Sequence, residues 1–176
     1  MQTILHLLRG IGAVVEFSKD SIRTGPVASL LREVSPDSDK PAAPDVEGAL
    51  ERLDALLAAR EQVQRDAGMR DGSCVQAIGN LRVAFRNVRT ARGRLSSIFK
   101  WAVTIDDEFL VALRREDEGA LVVLALYGVL FDGLDGFWWT RGWGRALIVA
   151  VEGKVKTDEA RELLSWAWRK VQRDSP

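Results

Sequence analysis

The chain has 176 residues, 47% of them apolar, and its 25 Lys and Arg are matched by 25 Asp and Glu. This is enough apolar material to close one core as a single domain over 1–176, and the balanced charge excludes a global field that would draw in nucleic acid or an anionic membrane. The lone cysteine, Cys74, excludes an internal disulfide and a cysteine-rich zinc site, and it fits the reducing interior of a cell, cytoplasmic or nuclear.

Gln2 to Phe17 sets Ile4, Leu7, Leu8, Ile11, Val14 and Val15 at three- and four-residue spacings, which predicts an amphipathic helix. No basic segment precedes it and Arg9 interrupts it, so it reads as a structural helix and not as a signal peptide. Gly10 and Gly12 each cost such a helix about 1 kcal/mol relative to Ala, which points to a close neighbour. His6 is the chain's sole histidine. Gly25-Pro26 opens a short helix through Leu31, with proline suited to the first turn. Ser35 to Pro44, SPDSDKPAAP, holds three prolines and almost nothing apolar, so 35–44 is expected as an exposed loop within one domain.

From Pro44 or Asp45 a long amphipathic helix runs to Ala67, turning Val46, Leu50, Leu53, Leu56, Leu57 and Val63 inward. Asp71-Gly72 interrupts the chain before a second long helix, which starts at Ser73 and carries Val75, Ile78, Leu81, Phe85, Val88, Leu95, Ile98 and Phe99 inward. Its five arginines between Arg82 and Arg94 can reach phosphates. Neighbouring acids and the lack of interleaved aromatics make a solvated, ion-paired face the stronger reading. Trp101-Ala102-Val103 ends that pattern, and Thr104-Ile105-Asp106-Asp107 reads as an N-cap with acids in the first turn. These adjacent carboxylates lack a second acidic cluster at helical spacing to complete an ion cage, so neither a metal nor a cofactor is expected. A helix with Phe109, Leu110 and Leu113 then leads into the charged turn RREDEG.

Ala120 to Phe131 is a helix-length run without a charge, which predicts a central helix enclosed by protein, about 18 Å long and too short for a bilayer. Asp132, Gly133, Asp135 and Gly136 break it. Phe137, Trp138, Trp139 and Trp143 follow at once, as a thick core or as one wall of an apolar cavity. Ala146 to Val151 continues as another buried helix, ended by Glu152-Gly153. Thr157-Asp158-Glu159 caps a last amphipathic helix with Leu163, Leu164, Trp166 and Trp168, and the polar tail KVQRDSP is expected to fray. No strand pair, repeat or phosphate loop is visible, so the expected fold is all-α, with about seven to eight helices around the central 120–131 helix.

Three blocks, LLRGIGAVV with the later GPVASLL, FKWAVTIDDEFLVALRRED, and GALVVLALYGVLFDGLDGFWWTRGWGRALIVAV, carry a likeness in order and spacing. From about Leu7 to about Trp168 the chain resembles the C-terminal half of the regulatory domain of fungal zinc-cluster transcription factors of the sterol-uptake-regulator type. The resemblance implies an all-helical domain with a hydrophobic pocket, filled by a sterol in the sterol-sensing members, and dimerisation through this domain. It does not carry DNA binding over, since the chain has no Cys-rich zinc cluster and no basic DNA-reading segment. The chain departs from the pattern at Ala102, where the family commonly has Pro, and at Asp132, where it often has His. Trp166-Ala167-Trp168-Arg169 lacks the family's closing proline. The helical half that usually precedes LLRG is missing, and apolar faces it would cover need another cover, which predicts a homodimer or a partner protein.

The favoured reading is a binding module whose aromatic-lined cavity takes a sterol, terpenoid or polyketide. Trp101, Leu124, Tyr127, Phe131, Trp138, Trp139 and Trp143 are the expected lining, with Tyr127, Asp132 and Arg141 to orient the guest. The alternative is a cofactor-independent cyclase, dehydratase or isomerase of specialised metabolism using the same pocket. Desolvation raises a carboxyl toward the working pH, which makes Asp132 the preferred acid or base, with Tyr127, His6 and Asp106 as secondary candidates. A third reading is a dimerisation fragment that titrates full-length relatives. The polar lining separates these: an enzyme needs a buried titratable group, whereas a binder needs shape and one or two hydrogen bonds.

Overall fold

The computed structural model describes residues 42–66, 73–88, 91–131, 134 and 141–172. Seven helices lie among them: α1 (Pro44–Asp66), α2 (Ser73–Asn87), α3 (Ala91–Thr104), α4 (Asp107–Arg114), α5 (Glu118–Val129), α6 (Trp143–Glu152) and α7 (Asp158–Val171). There is no strand among the described residues, and the fold is all-α. None of these helices is long and apolar enough to cross a membrane. The helices expected at 2–17 and 25–31, and positions 35–41 of the expected loop, lie outside the described residues.

Pro44 opens α1, where its missing N–H is no loss, and the Glu47 carboxylate accepts from the Ala42 N–H at 3.0 Å. The spacing of Val46, Leu50, Leu53 and Leu56 lays one buried stripe along the helix. The single helix expected from Ser73 to Phe99 is instead two, α2 and α3, folded back on each other with Val88 in the turn. The apolar period continues across the break, so spacing alone does not mark it. Folding back lets both apolar faces reach one core. Trp101, expected to end the pattern, lies within α3, where its indole N–H donates to the Ala77 carbonyl of α2 at 2.8 Å. Val75, expected to point inward, is 67% exposed on the first turn of α2. Arg82 pairs with Asp54, and Arg86 lies 3.8 Å from Glu47, so acids of α1 meet the basic face of α2.

Asp106 caps α4, its carboxylate accepting from the Phe109 N–H at 2.7 Å. The chain then turns sharply into α5. Glu116 takes a left-handed conformation (φ 57°), its N–H donates to the Leu113 carbonyl, and the Asp117 N–H donates to that of Ala112. These bonds satisfy carbonyls that the end of α4 would otherwise leave open. Asp117 also caps α5, accepting from the Ala120 N–H at 3.0 Å.

The helix expected over 120–131 runs from Glu118 to Val129, and all twelve of its residues are buried. Leu130 and Phe131 follow as a buried turn. α5 packs against α1, α2, α4, α6 and α7, and Trp101 of α3 stacks on its Tyr127. Each of its fully enclosed Leu or Val side chains contributes about 1.5–3 kcal/mol through burial. The crossing with α6 is unusually close: a Cβ on Gly128 would stand 2.9 Å from the Gly144 carbonyl oxygen. Gly142, at φ 76°, starts α6 in a conformation that favours glycine.

α6 is less enclosed than its sequence predicts. Gly144, Leu147, Ile148 and Val151 are buried against α5 and α7, while Ala146 and Val149 face outward. Thr157 caps α7, as its position before Asp158-Glu159 predicts. The helix then runs through Val171, two residues into the tail expected to fray. Lys170 holds it there, pairing with Asp45 of α1 at 2.5 Å and lying over the Trp166 ring at 5.7 Å.

Candidate functional site

The described aromatic candidates form a continuous packed column. Trp101 and Tyr127 stack at 4.0 Å between ring centroids, and Phe109 meets Trp101 edge-on at 5.8 Å. Phe131 meets Tyr127 edge-on at 5.4 Å, and Trp143 lies over Phe131 at 6.0 Å. The column's polar atoms are turned to the backbone: the Trp101 N–H to Ala77, and the Tyr127 hydroxyl to the Ile98 carbonyl at 3.2 Å. Burial pushes the Tyr127 phenol well above its usual range, so it stays protonated. Leu124 is buried on the same helix, whereas Arg141 is exposed. Asp106 is occupied as a helix cap. His6, Asp132, Trp138 and Trp139 lie outside the described residues.

Two recesses adjoin these elements. A cavity of about 130 Å³ between α2 and α3 is lined by Asn80, Ser97, Lys100, Trp101 and Thr104 among others. Drug-sized guests need about 300–1,000 Å³, so it admits only a small group. The larger recess, about 550 Å³, is a groove between α1 and the start of α7. α1 supplies Arg52, Ala55, Leu56, Ala59 and Arg60, which recur at three- and four-residue spacing and so share one face; Thr157, Glu159 and Glu162 form the other wall. The floor is apolar and shallow because two of its three residues are alanine. One wall is basic and the other acidic. Among the described residues neither Glu159 nor Glu162 has an ion-pair partner, and the Arg52 guanidinium donates to the Gly48 carbonyl at 3.1 Å.

A single carboxylate joins the two walls of this groove through Arg60 and Thr157. Glu118, 8% exposed at the first turn of α5, accepts from the Thr157 N–H at 2.8 Å and from the Lys156 N–H with one oxygen. Its other oxygen accepts from the Arg60 guanidinium at 3.0 Å, while Asp117 takes the second arm of Arg60 at 2.5 Å. Burial pushes the Glu118 carboxyl up, but the two backbone donors and Arg60 outweigh it and hold the group below the usual carboxylate range. The clamp ties α1 to the α6–α7 connection, and so spaces the walls of the groove. In the sequence Glu118 lies in the charged run RREDEG and reads as solvated. Its hydrophobic neighbour Gly119-Ala120 was the one local sign of burial.

The chain matches no family model, no curated protein and no solved structure.

Proposed function

We propose that this chain is an all-helical binding module for an amphipathic guest with an apolar body, of the sterol, terpenoid or polyketide class, held in the α1–α7 groove. The observation that carries this reading is the groove itself, about 550 Å³ over a floor of Ala55, Leu56 and Ala59. That volume falls in the range of small-molecule sites, which pair apolar contact with a few placed polar groups. Glu159 and Glu162 can accept hydrogen bonds from a guest's hydroxyl or amine, and Arg52 can meet an oxygen at the opposite wall. The likeness of Leu7 to Trp168 to the sterol-uptake-regulator domains supports a lipophilic guest.

The site proposed is not the one the aromatic residues suggest. Tyr127 packs on both Trp101 and Phe131, and the polar atoms of Trp101 and Tyr127 are spent on backbone carbonyls, so these rings serve as the core that backs α5. A binding role is favoured over turnover for a related reason: the buried carboxylate beside the groove is held ionised by three donors, and its proton is not available for general acid chemistry.

Native mass spectrometry of the full chain with cholesterol and with farnesol tests the proposal. One guest per chain is expected, recovered chemically unchanged. Ala59→Trp, which fills the groove from an exposed position, should abolish retention without loss of helicity. Undiminished retention by that variant, or no retention of either probe by the wild type, would overturn the assignment.

A further inference from the structure

We infer that the outward face of α6 is a self-association surface, which packs antiparallel against α6 of a second copy of this chain. Ala146 to Val151 has no charge on any side, and a helix that is apolar all round belongs inside protein. One copy encloses only half of it, with Gly144, Leu147, Ile148 and Val151 against α5 and α7. At about 100° per residue, Gly142, Trp143, Ala146, Val149, Ala150 and Gly153 share the opposite arc, which is about 120° wide. None of the six is charged, although 28% of the chain is, so this is not an ordinary solvated face. Trp143 is 39% exposed and Val149 53%. The Trp143 ring stacks on Phe131 at 6.0 Å between centroids.

The edge of this arc indicates the partner. Arg145 and Glu152 lie two helical turns apart on the same edge, one toward each end of α6. If two copies of α6 run antiparallel about a twofold axis near Ile148 and Val149, Arg145 of each copy meets Glu152 of the other, and symmetry makes two such pairs. Parallel packing would carry this edge to the far side of the partner helix and leave Arg145 and Glu152 unpaired across the seam. Within its own chain Glu152 has no ion-pair partner among the described residues, and Arg145 rests on the Trp168 ring at 5.7 Å. Gly142, Ala146 and Ala150 add little bulk, which lets the two axes approach. The face of a ten-residue helix is small beside the roughly 800 Å² per partner of a standard interface, so the association is weak, with Kd on the order of 10–100 µM.

Sedimentation velocity of the full chain, from about tenfold below that Kd to about tenfold above it, should show a reversible monomer–dimer equilibrium. Val149→Glu and Glu152→Arg each place the change on an exposed position and should each weaken association at least about tenfold. The double exchange Arg145→Glu with Glu152→Arg should restore it. As a second readout, Val149→Cys in a Cys74→Ser chain should form a disulfide-linked dimer on mild oxidation, because Val149 lies beside the axis. The inference is overturned by a monomer at the highest concentration, by a dimer that Val149→Glu and Glu152→Arg leave unchanged, or by a failure of both the charge exchange and the cross-link.

Discussion

Replacing Gly144 by alanine should destabilise the chain even though alanine is the better helix former. In a helix interior the exchange gains up to about 1 kcal/mol. Here the new methyl falls inside contact distance of the Gly128 carbonyl oxygen and reaches 3.3 Å from Phe131 Cβ. At Gly128 the methyl meets the Gly144 carbonyl oxygen at 2.9 Å and Leu147 Cβ at 3.3 Å. Backbone atoms cannot swing aside as a side-chain tip can, so α5 and α6 must separate. Overpacking of this kind costs about 1–3 kcal/mol, which offsets the gain in propensity and leaves a net loss of up to about 2 kcal/mol at each site. For a chain of this size that lowers Tm by up to roughly 8 °C. Gly79 of α2 is the control, because nothing lies within 4 Å of an added methyl there. Gly79→Ala should stabilise by about 0.5–1 kcal/mol. Urea unfolding followed by circular dichroism reads all three variants. If Gly144→Ala matched Gly79→Ala in sign, the close crossing of α5 and α6 would be refuted.

Glu118→Gln should cost about 2 kcal/mol, since it weakens charge-assisted bonds to Arg60 and to two backbone N–H groups. Because the Glu118 carboxyl is held low in the fold, its contribution is complete above the unfolded pKa of about 4.3 and is lost as pH falls through the lower folded value. The stability gap between wild type and Glu118→Gln should therefore close on acidification, and a gap independent of pH would contradict the clamp. Tyr127 gives the opposite case. Burial raises its phenol, so its contribution is complete below the unfolded pKa of about 10 and is lost as pH rises toward the higher folded value. It is the chain's one tyrosine, so phenolate absorbance should rise only as the helical signal falls. Phenolate forming near its ordinary pKa in the folded chain would show that Tyr127 is not enclosed.

The all-helical class was legible because every apolar pattern in the chain has a helical period and none alternates. The starts of α1 and α7 were legible from their first residues: Pro44 and Thr157 act locally, through bonds reaching no further than the next turn. The cap expected at Thr104 falls two residues later, at Asp106, because Thr104 closes α3. Features set by distant partners were not. The break between α2 and α3 leaves the apolar spacing intact, and only the packing of Trp101 on Ala77 reveals that the chain doubles back. Glu118 sits among charges in sequence and is buried because Arg60, 58 positions away, and the turn before α7 converge on it. The groove was illegible for the same reason, since its walls belong to helices at opposite ends of the described chain. Trp101, Tyr127 and Phe131 were found by composition, but an aromatic ring looks alike in sequence whether it lines a cavity or fills one.

The central claim is the location of the guest, and amide chemical-shift mapping tests it most directly. With cholesterol or farnesol added to the ¹⁵N-labelled chain, the account predicts saturable shifts at Ala55, Ala59, Thr157 and Glu159, with the Trp101 indole N–H and Tyr127 unmoved. Shifts centred on Trp101 and Tyr127, with the α1–α7 groove silent, would contradict it and place the guest among the aromatic rings.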